Sequence, residues 1–419
     1  MSVGVCIVNR NGIALAADSA GTITNNDNKM FYNSMNKVFN LSRKNMLGAI
    51  TYGKTLIHNT PIEIILKKFR DYIDEENLPI DDVFNVINLL ENYLSNNADY
   101  YKFTSSERNV CIGLITSLVR EWGPKINESI IGVQPDQVEK NVCNVITSFT
   151  EKVKESISVT NYDVSNFIKS KYEKNVLDCI KEICPKLVEF ESSLNEFVEN
   201  IYNYFNLYLQ VETEEPMGLL IAGYDVKSAY PKYIHVHIYN FVGNKLKYKI
   251  LDKFDEAGIY SSIFPLAQPD VIDTFCKGIS KNYFTALPGI IKFEIDKAFN
   301  NLDNLIPKEN KDEILKAFSN IQSNVTSTLA AKARKEVTDP LINSLSVLQV
   351  PDMAFLAENL VNLTSLKRQF SIDGNQQTVG GPTDVATICQ GEGFIWIKRK
   401  HYFDKNMNLH YLTKYNKGA

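Results

Sequence analysis

The chain has 419 residues, of which 44% are hydrophobic and 22% charged, and its formal net charge is -4. These proportions are typical of a globular protein, and the length predicts either one large domain with insertions or two domains. A nucleic-acid-binding protein more often carries a basic excess or a basic face, so we expect no nucleic-acid partner. The sequence shows neither a signal-peptide pattern nor an apolar run of about 18 residues. We therefore expect no membrane partner and a cytoplasmic location.

The first 50 residues predict two β-hairpins. Residues 3–8 and 13–17 are small and apolar, and the Asn11-Gly12 dipeptide between them is typical of a tight hairpin turn. Neither run alternates with polar residues, which predicts strands buried on both faces. Residues 37–41 and 46–50 form a second predicted hairpin.

Helical periodicity dominates from about residue 83 to 212, where apolar residues recur at i, i+3 and i+4. Beyond this region strand and helix patterns alternate. The predicted strands are residues 218–225, 233–241, 245–251, 385–389 and 394–398, and the predicted helices are residues 269–279, 312–348 and 352–370.

Predicted strands occur near both ends of the chain and in its middle. We expect them to pair into two packed sheets between helical layers, an α+β fold. The domain organisation that follows is one core with two helical insertions. The core comprises residues 1–94, 213–279 and 346–419, and the insertions are residues 95–212 and 280–345.

Ser2 is a candidate nucleophile because only Met1 precedes it. A small second residue generally permits removal of the initiator methionine, which would give Ser2 both a hydroxyl and a free α-amine. An α-amine has a pKa of roughly 8 and can accept the proton of its own hydroxyl. The alternative interpretation of Ser2 is a frayed polar terminus.

Three further residues could complete such a site. Asp18 ends the second predicted strand, which the hairpin returns beside residues 2–4, and Lys37 begins the third. A cation near the amine would lower its pKa toward neutrality, and an acid must hold that cation. The main chain at Gly53 could stabilise an oxyanion. The alternatives are a strand-closing Asp18, a solvated Lys37 and a plain turn at Gly53.

The order of these residues resembles that of proteasome β-type subunits and of bacterial proteasome-like N-terminal-nucleophile (Ntn) hydrolases. In that family a nucleophilic Thr precedes a strand, a turn glycine, an apolar strand and Asp-Ser. The segments that carry the resemblance are NGIALAADS at 11–19, NKVFNL at 36–41, LGAITYG at 47–53, LIAGYD at 220–225 and GGPTDV at 380–385.

The resemblance implies a four-layer αββα Ntn-hydrolase sandwich that cleaves peptide or amide bonds, with Ser2 in place of the family's Thr. It also implies a homo-oligomer, with an ATPase as a candidate partner. Ser371 aligns with a supporting hydroxyl of the family, and Ser261 or Ser262 is a candidate for another. Arg368 stands where the family has an acid, and Tyr52 replaces a small residue beside the oxyanion position.

Seven cysteines without a CxxC pair predict free thiols in a reducing compartment rather than a disulfide framework. Cys6 lies in the middle of a predicted strand, which favours a buried structural thiol over a nucleophile. His235 and His237 share one face of a predicted strand, but no third ligand is evident, so we expect no metal and no cofactor.

Two functions remain open at the level of sequence. One is the Ntn hydrolase, with Ser2, Asp18, Lys37, Gly53 and Ser371 as site residues. The other is a catalytically inactive, proteasome-like scaffold or interaction subunit, for which the helical insertions would build interfaces. No P-loop, GxGxxG or HExxH pattern supports a nucleotide- or metal-dependent enzyme.

Overall fold

The computed structural model describes residues 2–25, 28–155, 163–189, 191–210, 215–255, 261–302, 311–370, 379–404 and 407–409. The described residues form helices and antiparallel sheets, which confirms an α+β fold. Among them, none of the helices combines the length and apolar character needed to cross a membrane.

The first of two five-stranded sheets joins strands from both ends of the chain. Its strands, in spatial order, are β12 (Ser261–Leu266), β1 (Gly4–Asn9), β2 (Gly12–Ala17), β13 (Asp384–Cys389) and β14 (Gly393–Lys398). The β1–β2 hairpin is the predicted one, and every residue of both strands is buried. The predicted strands 385–389 and 394–398 are confirmed as β13 and β14, which pair with each other, and β13 also pairs with β2.

The second five-stranded sheet contains the other predicted hairpin, that of residues 37–41 and 46–50. Its strands, in spatial order, are β11 (Lys245–Phe254), β10 (Pro231–Val242), β9 (Met217–Tyr224), β6 (Leu47–Gly53) and β5 (Val38–Ser42). Four shorter strands lie outside both sheets; they are β3 (Gly21–Asn25), β4 (Asn28–Tyr32), β7 (Leu56–Ile57) and β8 (Thr60–Pro61).

The two large sheets share a hydrophobic core, to which each contributes alternate residues. Leu15 of β2 and Ala386 of β13 pack in the same cluster as Ile50 of β6 and Leu220 of β9. The opposite face of the first sheet packs on helix α11 (Val350–Gln369), and that of the second packs on α1 (Ile62–Glu75) and α2 (Val86–Asn96). Alternate burial of this kind fixes the strand register, because a one-residue slip would exchange the two faces.

The helical region between α2 and β9 has a hydrophobic cluster of its own. Its helices are α3 (Phe103–Ile130), α4 (Pro135–Lys154), α5 (Ser165–Ile183) and α6 (Glu191–Gln210). Trp122 is fully buried there, with its ring 4.2 Å from that of Tyr204. Tyr239 and Val242 of β10 join the same cluster, so the second sheet contacts this region directly.

The remaining helices lie between β12 and β13; they are α7 (Asp270–Lys277), α8 (Lys281–Leu302), α9 (Lys311–Ala333), α10 (Asp339–Ser346) and α11. Along α8 the large apolar side chains of Tyr283, Ile290 and Phe293 are 58–77% exposed. The β3–β4 hairpin and the edge strand β12 were not predicted from the sequence, whereas α8 lies within the predicted helical insertion of residues 280–345. We assigned no strand to 261–266, and this segment pairs with β1 along its whole length.

Candidate active site

Asp18 lies where β2 ends, and its carboxylate connects three separate segments. Oδ1 accepts the Val3 N–H at 3.0 Å and the Lys37 Nζ at 2.6 Å. Oδ2 accepts the Gly380 N–H at 3.1 Å and the Ala20 N–H at 3.3 Å. Several donors on one buried carboxylate compensate for its removal from water. Asp18 therefore does more than close a strand.

Lys37 is the counter-ion of Asp18, and its side chain is buried rather than solvated. Its side chain is 6% exposed and that of Asp18 is 0% exposed. The Lys37 carbonyl accepts the Thr51 N–H at 2.8 Å, which positions the residue at the start of β5 beside β6. Burial lowers the pKa of Lys37, and the Asp18 carboxylate opposes this by stabilising the cation. The structure thus brings the two predicted residues together.

A second ion pair lies beside the first and was missed at the level of sequence. Asp384 begins β13 opposite Ala17, and Lys400 donates to it through both its main-chain N–H and its Nζ. The side chains are 3% and 12% exposed. The positive charge of Lys400 lowers the pKa of Lys37 further. The Asp in the GGPTDV segment was the available signal, because an Asp at a buried strand start requires a partner.

Ser2 directly precedes Val3, whose N–H the Asp18 carboxylate accepts, so chain connectivity places Ser2 one residue from the ion pair. It is buried, with 9% of its surface exposed, which does not fit a frayed terminus. Asp18 also donates its own N–H to the Val3 carbonyl at 3.1 Å. The β1–β2 ladder therefore continues to the residue next to Ser2.

Gly53 ends β6 with φ +75°, a left-handed conformation that favours glycine. A Cβ at this position would lie 2.6 Å from the Pro216 carbonyl oxygen, so space as well as conformation selects glycine. Lys37 and Thr51 are joined by a main-chain hydrogen bond, and Gly53 follows two residues later. The glycine therefore lies at the same end of the sheets as the Asp18–Lys37 pair.

The side chain of Tyr52 extends across the neighbouring strand, β9, towards β10. Its Oη lies 2.8 Å from Nε2 of His235 and 3.0 Å from Nε2 of His237. Burial raises the pKa of Tyr52 to about 12. Burial, together with the neighbouring His237, lowers the pKa of His235 to about 4. At neutral pH the Tyr52 phenol and the His235 imidazole are both uncharged.

The three serine candidates have different outcomes. Ser371 lies outside the described residues, so its role stays a prediction. Ser261 and Ser262 were wrong as supporting hydroxyls, because they pair with Asn9 and Val8 at the far end of β1. At a rise of roughly 3.3 Å per residue, that register separates Ser262 from Ser2 by about 20 Å.

Arg368, which stands where the resembled family has an acid, forms an ion pair of its own. Its Nη2 donates to Oδ1 of Asp270 at 2.6 Å, and the neighbouring Lys367 donates to Oδ2 at 3.4 Å. Asp270 begins α7, where a carboxylate also stabilises the helix N-terminus. Arg368 thus joins α11 to α7.

Cys6 lies in surroundings unsuited to a catalytic thiol. Cys6 is fully buried within β1, and burial raises the pKa of its thiol, which opposes formation of the reactive thiolate. None of the seven cysteines forms a disulfide bond. In the described part of the chain no three His, Cys, Asp or Glu side chains come together as a metal cluster.

Comparison with known proteins does not assign the chain to a family. A scan against protein-family models finds no match, and a search of curated proteins also finds none.

Proposed function

We propose that this protein is a proteasome-like Ntn hydrolase that cleaves peptide or amide bonds through Ser2 after removal of Met1. The proposal includes the four-layer αββα Ntn sandwich, which the two sheets and their outer helices support. One observation carries it: the buried Asp18 carboxylate accepts both the Val3 N–H and the Lys37 Nζ, one residue from Ser2. A carboxylate that holds a cation beside a small N-terminal residue is the arrangement that this chemistry needs.

In the proposed reaction the free α-amine of Ser2 accepts the proton of its own Oγ, directly or through a water. Oγ then attacks the substrate carbonyl, and a main-chain N–H at Gly53 stabilises the oxyanion. The protonated amine donates to the leaving nitrogen, which leaves an ester on Ser2 that water hydrolyses. Lys37 lowers the pKa of the amine by its positive charge, and Asp18 holds Lys37 in place.

The second candidate is a catalytically inactive, proteasome-like scaffold or interaction subunit. One observation favours it: α8 exposes the large apolar side chains of Tyr283, Ile290 and Phe293. Exposed apolar residues on one element are typical of protein interfaces. Assembly into a homo-oligomer, with an ATPase as partner, belongs to both candidates.

Intact mass spectrometry separates the two. The hydrolase predicts that the protein purified from cells is lighter by one methionine residue, and that an electrophilic β-lactone probe adds once per chain. Ser2→Ala should abolish the adduct while keeping the fold, whereas Ser105→Ala, in the exposed first turn of α3, should be labelled like the natural protein. A protein that retains Met1, or processed protein that the probe leaves unlabelled, would contradict the hydrolase and support the scaffold.

A further inference from the structure

The Tyr52 phenol and two histidines meet at one point between the sheets. His235 and His237 are two residues apart on β10, so both project from the same face of the strand. Tyr52 is on β6, and β9 lies between these two strands. Gly218 of β9 pairs with both Tyr52 and His237.

Gly218 makes this convergence geometrically feasible. A Cβ on Gly218 would lie 2.0 Å from the Tyr52 ring, so the ring lies directly over the glycine. The phenol can then reach across β9, and its Oη lies within 3.0 Å of Nε2 in both imidazoles. Three side chains from two non-adjacent strands thus direct their polar tips at a common position.

The set of donor atoms matches a borderline divalent cation. Zn²⁺ binds imidazole nitrogen and oxygen ligands at about 2.0–2.2 Å, which separates tetrahedral ligands by roughly 3.3 Å. The nitrogen–oxygen distances of 2.8 and 3.0 Å would need to widen by only a few tenths of an ångström.

Burial differs among the three residues in the way that an open metal site requires. His235 is 5% exposed and holds a fixed position against the ring of Phe264. Tyr52 and His237 are half-buried, which leaves a side from which a cation and a water can enter. Nδ1 of His235 is buried without a hydrogen-bond partner. The hydrogen bonds to Tyr52 therefore leave a polar atom of this buried cluster unsatisfied.

We propose that His235 Nε2, His237 Nε2 and Tyr52 Oη form a binding site for a borderline divalent cation such as Zn²⁺, with water as the remaining ligand. This site is independent of the proposed hydrolase. The present hydrogen bonds require the Tyr52 Oη to donate to one imidazole and accept from the other, so the two rings hold different tautomers. Cation binding requires the Nε2 lone pair of both rings, which places the proton of each on Nδ1.

The test uses Co²⁺ as a spectroscopic replacement for Zn²⁺, with the full chain. Co²⁺ bound by nitrogen and oxygen shows d–d absorption without the intense near-ultraviolet charge-transfer band of thiolate ligands, which separates this site from the seven cysteines. We expect one equivalent of Co²⁺ with such a spectrum, displaced by Zn²⁺ in calorimetry. His237→Ala should weaken binding by at least about tenfold, and Tyr52→Phe by less.

His401→Ala is the matched control, because it removes a half-buried histidine far along the chain and should leave the affinity unchanged. Thermal unfolding without metal checks that each variant is folded, and His237→Gln repeats the test with a side chain that keeps a hydrogen-bonding group. Absence of a one-equivalent nitrogen–oxygen spectrum would overturn the proposal. So would equal affinity of the natural protein and both folded His237 variants.

Discussion

The Asp18–Lys37 pair should contribute far more to stability than an ion pair of the same length on the surface. Both side chains are buried, and the two charged atoms are 2.6 Å apart. Removal of one partner from a buried pair leaves an uncompensated charge and typically costs about 3–5 kcal/mol. We expect this loss for Asp18→Asn and for Lys37→Met, measured as the free energy of unfolding in urea at pH 7.5.

The double variant Asp18→Asn/Lys37→Met should be destabilised no more than either single variant, because neither charge is then left alone. The coupling energy of the cycle is therefore at least about 3 kcal/mol. Lys67 and Glu63 on α1 provide the control, since they are 2.5 Å apart but 45% and 34% exposed. A cycle on that pair should give about 0.3–0.5 kcal/mol.

A coupling energy below about 1 kcal/mol for Asp18 and Lys37 would contradict the predicted effect of burial, because exposed ion pairs screened by solvent have coupling energies in that range. The urea slope must stay constant across the four proteins, since a change in slope would report altered denatured states and not the ion pair. Activity is a separate readout. If the protein is a hydrolase, Lys37→Met should abolish turnover even where the fold survives.

Three other changes have expected outcomes. The pKa of His235 is lowered from 6.5 to about 4, so between these pH values the unfolded chain binds this proton and the folded chain does not. The stability present above pH 6.5 should therefore be lost as the pH falls to about 4. In urea unfolding we expect a loss of roughly 3 kcal/mol relative to His235→Gln. Gly53→Ala should cost about 1–3 kcal/mol, whereas Gly113→Ala, with open space on α3, should gain about 0.5–1 kcal/mol in thermal unfolding. Glu107→Gln should cost about 1.5–3 kcal/mol, because its buried carboxylate accepts a main-chain N–H of the β10–β11 turn at 2.8 Å.

Each of these has an outcome that would contradict it. Equal pH dependence of the natural protein and His235→Gln would mean that this imidazole is protonated as easily in the folded state as in the unfolded chain. A Gly53→Ala variant as stable as Gly113→Ala would show that the main chain at 53 relaxes away from the Pro216 carbonyl. If Glu107→Gln unfolds like the natural protein, an amide satisfies the same donors as the carboxylate.

The hairpins were predictable because their signals are local. Residues 3–8 and 13–17 are continuous apolar runs around an Asn-Gly turn, and turn geometry with burial on both faces leaves one register available. The edge strand β12 was not predictable in this way. The segment SSIFPL carries only a short apolar signal and a proline, and it becomes a strand because β1 offers it a partner. Tertiary context decides such edge strands.

The candidate site also has features that the sequence predicted and features that only the tertiary structure decided. Sequence alone determined that Asp18 follows a buried strand, that Lys37 begins another and that Ser2 lies just before β1. Only the tertiary structure decided that one carboxylate reaches Val3, Lys37 and Gly380 at once, because these positions lie up to 362 residues from Asp18 along the chain.

The same holds for the cluster of Tyr52, His235 and His237. The sequence placed the two histidines on one face of a strand, since strand periodicity alone determines that. It gave no reason to join them to a tyrosine about 185 residues away. The third partner comes from a strand that is not adjacent, and it reaches the histidines only because Gly218 has no side chain to block the ring. Contacts of this kind depend on the order of the strands in the folded sheet, and local sequence patterns do not carry that information.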